Sequence, residues 1–328
     1  MKKIGVLFGM ENTFPGALVE RINSMEVDGI RAEFVEVGGV EMAGACPYAV
    51  IVDRVSHDMP FYRAYLKHAA LGGTQVINNP FWSAADDKFF NYSLAAKLGV
   101  AVPRTVLLPE KQLPPEISGK SVRNLQFPLD WEAIFAYVKF PAFLKPHNGG
   151  GWRDVHYVRD KTEFFAAYDQ TRDLCMMLQT AVDFKEYFRC YVVGQQEVRV
   201  MAYDPRRPHE ERYVREAKRY PKGLVKRVEK DALTLCRALG YDLNSVEFAV
   251  EGGVPYAIDF MNPVPDVDRI SVGEESFAWM VEKVARLAMA RAQKPVAVEL
   301  RWAGLLGGAG AKNGRKQVRS PSASSGSG

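Results

Sequence analysis

The sequence predicts an α/β (α+β) chain, and three observations carry the prediction. Short apolar runs alternate with helical patterns up to about residue 77, the mark of a parallel, helix-covered sheet. An apolar run ending in Lys145 is followed by a glycine loop and a returning run. Near residue 250 two further strand-like runs flank Glu251-Gly252-Gly253, the usual mark of a hairpin. At 328 residues the chain is too long for one ordinary core and implies two or three packed units.

Composition bounds the function classes. The chain is 47% hydrophobic and 25% charged, as soluble globular proteins are, and its net charge of +4 favours no particular partner. Neither a nucleic-acid nor a membrane partner is expected. The four cysteines (Cys46, Cys175, Cys190, Cys236) lie far apart with no Cys-x-x-Cys pair. That argues against a disulfide framework or a cysteine metal site, and for reduced thiols in a cytoplasmic protein. Ile4-Gly5-Val6-Leu7-Phe8 after two lysines is too short for a signal peptide, and Glu11-Asn12 interrupts it. No run approaches the length of a membrane span.

In chain order, residues 4–8 read as a buried strand and Pro15 opens a helix through about Met25. Residues 32–37 and 49–52 are the next strands, 61–71 a helix ending at Gly72-Gly73, and 75–77 a fourth short strand. Ligands gather at the carboxyl ends of such strands, which places Glu11, Asn12, Asp53 and Arg54 near a substrate. Asp53 and Asn12 read more simply as loop polars. Residues 83–98 form a helix capped by Ser83, with Asp86 three residues on, and stopped by Gly99. Residues 103–108 are extended, and 113–130 hold three prolines and no period.

From residue 140 the chemistry begins. Phe140 to Pro146 is a strand carrying Lys145, and His147-Asn148-Gly149-Gly150-Gly151-Trp152-Arg153-Asp154 is the loop beyond it. A lysine there offers a point charge to phosphate oxygens, and bare glycines let backbone N–H groups close over the same oxygens. A Gly-Gly-Gly run alone is more often a flexible hairpin tip, and no Walker pattern occurs. Residues 162–171 form a helix, 175–179 a strand, and 188–193 with 197–203 a hairpin about Gly194. Residues 206–230 hold ten Lys/Arg against four Glu, which is a solvated face or a loop that receives anions. Residues 224–239 form a helix stopped by Gly240, and 274–290 a last long helix. Beyond Ala303 the chain is rich in Gly, Ser and Lys and reads as a disordered tail. In the hairpin of residues 246–263, Glu247 and Asp259 sit on facing strands with Asn262 just beyond. Two carboxylates and an amide oxygen are hard ligands of the kind Mg²⁺ takes alongside phosphates. The plainer alternative leaves both acids pointing to solvent.

The order of these features resembles the ATP-grasp superfamily over roughly residues 3–290, closest to its RimK-type and D-alanine–D-alanine ligase-like carboxylate–amine ligases. Val50 to Arg54, Ile77 to Pro80, Asp87-Lys88 and Leu98 to Thr105 are similar to the RimK branch. The resemblance implies an N-terminal parallel α/β domain (1–85), a lid subdomain (86–178) and a C-terminal antiparallel-sheet subdomain (179–303), with ATP between the last two. Residues 304–328 would be the tail. It implies that Lys88 and Lys145 meet the nucleotide phosphates, and that Gly149, Gly150 and Gly151 fold over them. Gln179, Thr180 and Val182 fall in the hinge that binds adenine, and Glu186 where the family holds the ribose hydroxyls. Lys218 looks like the lysine some relatives bring to the terminal phosphate. Glu247, Asp259 and Asn262 would hold Mg²⁺ (or Mn²⁺).

Two departures stand out. The family's Glu-x-Asn is here Asp259-Phe260-Met261-Asn262, which a local bulge would accommodate. Ser245 stands where several ligases carry an arginine that steadies the acyl-phosphate, and Arg199 on the neighbouring hairpin is the candidate to replace it. The implied activity is ATP-dependent, ADP-forming ligation of a carboxylate to an amine or thiol, through an acyl-phosphate. The partners are small-molecule substrates, an amino acid or a peptide end among them, and an oligomer is compatible with this reading. The alternative is an ATP-binding regulator or scaffold without turnover. A nicotinamide oxidoreductase is discarded, because the first strand is not followed by Gly-x-Gly-x-x-Gly.

Overall fold

The computed structural model describes residues 1–82, 87–113, 116–119, 122–214 and 219–297. Ser83 and Asp86 as caps, Lys218 as a phosphate ligand and the tail from 304 therefore lie outside the described residues.

The described residues form three four-stranded sheets in chain order. The first holds β1 (Lys2–Phe8), β2 (Ile30–Phe34), β3 (Val50–Arg54) and β4 (Gln75–Ile77), all parallel, in the order β2-β1-β3-β4. Helices α1 (Phe14–Asn23) and α2 (Pro60–Leu71) make the crossovers, each with a proline in its first turn where no N–H is needed. Strand alternation divides the sheet. Ile4, Val6, Val50 and Val52 meet Phe14, Leu18 and Ile22 of α1, whereas Leu7 and Ile51 meet Leu66 of α2. Both faces are buried, as a parallel sheet requires.

Helix α3 (Lys88–Lys97) begins later than the sequence suggests. Its N-cap is Asp87, whose side chain accepts from Phe90 N at 2.7 Å. The second sheet is antiparallel, in the order β5-β8-β6-β7, from β5 (Thr105–Leu108), β6 (Ala142–Pro146), β7 (His156–Val158) and β8 (Met176–Thr180). Helix α4 (Trp131–Val138), unanticipated, starts right after the irregular stretch, with Asp130 accepting from Ala133 N at 3.0 Å. It packs with α5 (Lys161–Tyr168) through Trp131, Phe135, Phe164 and Tyr168.

The third sheet, β10-β9-β11-β12, is also antiparallel, from β9 (Glu186–Val193), β10 (Glu197–Ala202), β11 (Leu243–Glu251) and β12 (Val254–Asp259). One face buries Phe188, Cys190, Val246 and Phe248 under Val228, Ala232 and Leu235 of α6 (Lys222–Leu239). Gly240 stops α6 at φ 73°, a left-handed conformation that a residue with a Cβ adopts only under strain. The other face, with Tyr191 and Leu243, shares a core with the first sheet. The link is α7 (Arg269–Gln293), broken at Gly273, whose Met280, Val284 and Ala288 join that core. Full burial of side chains such as Leu18 or Val284 is worth about 1.5–3 kcal/mol each. Glu282 of α7 receives Arg21 of α1 at 2.6 Å, so an ion pair flanks the apolar contact.

Candidate functional site

A single cleft between the second and third sheets is lined by Lys88, Lys145, Gly149, Gly150, Gly151, Gln179, Thr180, Val182, Glu247 and Asp259. The strands explain the convergence. Lys145 on β6 shares a sheet face with Phe143, which lies opposite Gln179 of β8, and Gln179 lies opposite Thr105 of β5. Lys145 Nζ donates to Gln179 Oε1 at 2.8 Å and to the Tyr92 hydroxyl of α3 at 2.9 Å. Gln179 Nε2 in turn donates to Thr105 Oγ1 at 2.8 Å. The ammonium is thus aimed by a fixed amide and a phenol. Lys88 opens α3, and its backbone N–H donates to His147 O at 2.9 Å, tying the helix start to the glycine loop. Gly149 has φ 106°, a conformation that a side chain at this position would strain.

The opposing wall is the hairpin of β11 and β12. Phe248 pairs with Ala257, but Glu247 pairs with Asp259, so Ile258 is an extra residue bulged out of β12. The bulge puts the two carboxylates directly opposite each other on one sheet face. Tyr92 also donates its hydroxyl proton to the carbonyl of Ile258, so one phenol joins the lysine to the bulge.

Electrostatics divide the two acids. Burial pushes the Glu247 carboxyl above its usual value, against Arg189 and helped by Asp259. Burial acts the same way on Asp259, but Lys88 and Lys145 outweigh it and hold that carboxyl below its usual value. Burial also lowers the Lys145 ammonium to about 8, although Asp259 and Glu247 oppose the change.

Two residues absent from the sequence reading complete the site. Tyr92 is one. Arg189 on β9 is the other: it lies opposite Glu247, with Nε 3.6 Å from Oε1, and reaches Ser245 Oγ at 3.3 Å. Its guanidinium stands over the rings of Tyr203 and Tyr213, while the Tyr187 hydroxyl donates to Glu247 Oε2 at 2.6 Å. Register reveals it: Arg189, Glu247 and Asp259 form one row across three strands. Arg199 lies two residues further along, opposite Tyr191, and turns to α7, pairing with Glu275 at 3.0 Å and donating to Ser276 Oγ at 3.0 Å. The guanidinium beside Ser245 is therefore that of Arg189, not Arg199.

The remaining expected residues fall as follows. Glu186 is half-buried at the start of β9, opposite Val250, outside the residues that line the cleft. Asn262 lies just beyond β12. With its amide oriented to satisfy both ends, Oδ1 accepts from Arg189 Nη2 at 2.7 Å and Ser245 Oγ at 3.0 Å, and Nδ2 donates to Val264 O at 3.2 Å. Its oxygen is thus already engaged by Arg189 and Ser245. Among the described residues no three His, Cys, Asp or Glu side chains cluster as a complete metal cage. Two facing carboxylates fit Mg²⁺ bound jointly with substrate phosphates, as that ion commonly is. Asp53 serves its own turn, accepting from Val55 N and Ser56 N at 3.1 and 2.9 Å. No described helix is long and apolar enough to cross a membrane.

No protein-family model matches the sequence, and no curated protein matches it either. Solved structures do match over nearly the whole chain. A RimK domain protein with the ATP-grasp fold from Sphaerobacter thermophilus aligns with a TM-score of 0.63 at 15% identity, covering 88% of this chain and 98% of its own. The D-alanine–D-alanine ligase of Bacillus anthracis aligns with a TM-score of 0.61 at 15% identity, covering 90% and 100%. An ATP-grasp ligase from Chryseobacterium gregarium, associated with a ribosomally made peptide and solved with ADP and a leader and core peptide, gives 0.60 at 15% identity, covering 89% and 97%. This chain has the ATP-grasp fold.

Proposed function

We propose that the chain is an ATP-dependent, ADP-forming ligase that joins a carboxylate to an amine (or thiol) through an acyl-phosphate. The observation that carries this reading is the meeting of Lys88 and Lys145 with Glu247 and Asp259 across one cleft beneath a glycine loop. Nucleotide phosphates would lie between the cationic wall and the acidic one.

The chemistry needs positioning and charge neutralisation more than covalent help. A carboxylate oxygen attacks the γ-phosphorus and the bond to the β,γ-bridging oxygen breaks, releasing ADP. The amine nitrogen then attacks the acyl carbon, phosphate leaves with the C–O electrons, and the nitrogen gives up a proton. Lys145, aimed by Gln179 and Tyr92, offsets phosphate charge, and Lys88 does so from the start of α3. Glu247 and Asp259 would hold Mg²⁺ (or Mn²⁺), which neutralises the transferring phosphoryl group. Arg189, held over two tyrosine rings, lies behind Glu247, and would steady the acyl-phosphate oxygens if it reaches past that carboxylate. Gly149, Gly150 and Gly151 would close over the phosphates, and Gln179, Thr180 and Val182 would line the adenine end. The carboxylate and amine are small molecules or peptide ends, the latter in keeping with the peptide bound by the Chryseobacterium ligase.

The competing reading, ATP binding without turnover, has one observation in its favour: Asn262 spends its oxygen on Arg189 and Ser245. ADP release with Mg-ATP and a pooled set of carboxylates and amines separates the two. A ligase releases ADP only when the pool is present. A protein that Mg-ATP stabilises, yet that releases no ADP with any pool, is a binding protein.

A further inference from the structure

Tyr92 lies outside the residues that line the cleft, yet it touches both walls. It is buried on α3, four residues after Lys88, so one helix face presents both the lysine and the phenol. On the cationic side its hydroxyl accepts from Lys145 Nζ at 2.9 Å, and that ammonium stands 5.0 Å from the centre of the ring. On the acidic side the same hydroxyl donates to the carbonyl of Ile258, and the ring meets that of Phe260 edge-on, with centroids 5.5 Å apart. Ile258 and Phe260 are the two chain neighbours of Asp259. Tyr92 therefore grips the hairpin on both sides of that acid.

Proton counting fixes the direction of these bonds. A carbonyl only accepts, so the single phenol proton goes to Ile258 and Lys145 must donate to the phenol oxygen. Burial, reinforced by Asp259, pushes the phenol up, which keeps that proton in place at neutral pH. Of the three N–H groups of the ammonium, Tyr92 and Gln179 take two, and one is left for a phosphate oxygen. Ile258 is the residue bulged out of β12. Such a residue is left unpaired in the ladder, and here the phenol supplies its partner. One hydroxyl thus sets both the free N–H of Lys145 and the backbone that carries Asp259.

We propose that Tyr92 is a positioning residue that couples the two walls. Through its hydroxyl, a phosphate held on Lys145 favours the hairpin arrangement in which Asp259 takes a divalent cation, and the cation favours the phosphate in return, because such coupling is reciprocal. This rests on reading the cleft as a nucleotide site, and adds to that reading the group that ties phosphate to metal.

The test is isothermal titration of the full chain with adenosine, ATP and Mg-ATP, in wild type, Tyr92→Phe, Lys145→Met and the double variant. Tyr92→Phe keeps the ring and its contact with Phe260 and removes only the hydroxyl. It is expected to leave adenosine affinity unchanged and to cut the preference for Mg-ATP over ATP by about threefold to tenfold, the scale of one lost hydrogen bond. Affinity for free ATP is expected to fall on the same scale in the single variant. In the Lys145→Met background, Tyr92→Phe should cost no further affinity for free ATP, while the preference for Mg-ATP still falls. A merely structural role would weaken all three ligands together in both backgrounds. That outcome, or a Tyr92→Phe protein with the wild-type preference, would overturn the assignment while leaving the nucleotide site standing. A wild type that binds neither ATP nor Mg-ATP would instead remove the nucleotide reading, and the coupling with it.

Discussion

The two walls of the cleft differ in how their charges are held. On the second sheet, Lys145 sits in a closed chain of hydrogen bonds running from Thr105 through Gln179 to Tyr92. On the third sheet, Glu247 and Asp259 stand side by side with like charge, and one turns protonation upward while the other is held ionised. Each wall is unfavourable alone. Burial lowers the basicity of the lysine and the paired acids repel, but across the cleft Lys88 and Lys145 hold Asp259 below its usual value, and the acids keep Lys145 more basic than burial would. The site is therefore prepared for a ligand that carries both phosphate anions and a divalent cation. Neither half of such a ligand satisfies it separately.

The sharpest break in that symmetry comes from removing the cationic wall. Lys145→Met is expected to weaken binding of ATP and of Mg-ATP alike by about tenfold to a hundredfold, the scale of a lost hydrogen bond to a charged group. Isothermal titration of both forms checks it, and a variant with unchanged affinity would show that Lys145 does not meet phosphate.

A smaller effect follows from pH. The Lys145 ammonium titrates at about 8 in the free protein, below its ordinary 10.5. Below that value the cation is present, and as pH rises through about 8 it is progressively lost. Affinity for metal-free ATP should then fall between pH values on either side of 8, with proton uptake on binding at the higher one. The uptake is read from binding heats in buffers of different ionisation enthalpy. Lys145→Met should lose that pH dependence, and a profile the variant shares with wild type assigns the titration elsewhere.

What was legible in the sequence was whatever one strand or one loop carries by itself. A lysine at a strand end, glycines beyond it and acids on a hairpin are local patterns, and all of them face the cleft. What was hidden depends on register between strands distant in sequence. Arg189 and Arg199 sit on adjacent strands and share a sheet face, so alternation cannot separate them. Only the pairing of Arg189 with Glu247, and of Arg199 with Tyr191, decides which faces the site. The bulge at Ile258 is a second case, since the spacing Asp259-x-x-Asn262 departs from the usual motif without revealing which side takes the extra residue. Tyr92 is a third. On α3 it reads as an ordinary apolar-face aromatic, and its role comes from Lys145 and Ile258, 53 and 166 residues away. Helix α4 is hard to read from sequence because its start is set by Asp130, at the end of a proline-broken stretch.

Comparing ATP binding with and without Mg²⁺, in wild type and in Asp259→Ala, tests the pairing of the two walls most directly. Wild type is predicted to bind Mg-ATP more tightly than ATP. Asp259→Ala is predicted to lose that preference and to bind free ATP no worse, because a carboxylate that repels phosphate has gone. An Asp259→Ala protein that keeps the full preference for Mg-ATP would contradict the account, since the acidic wall would then have no part in holding the cation.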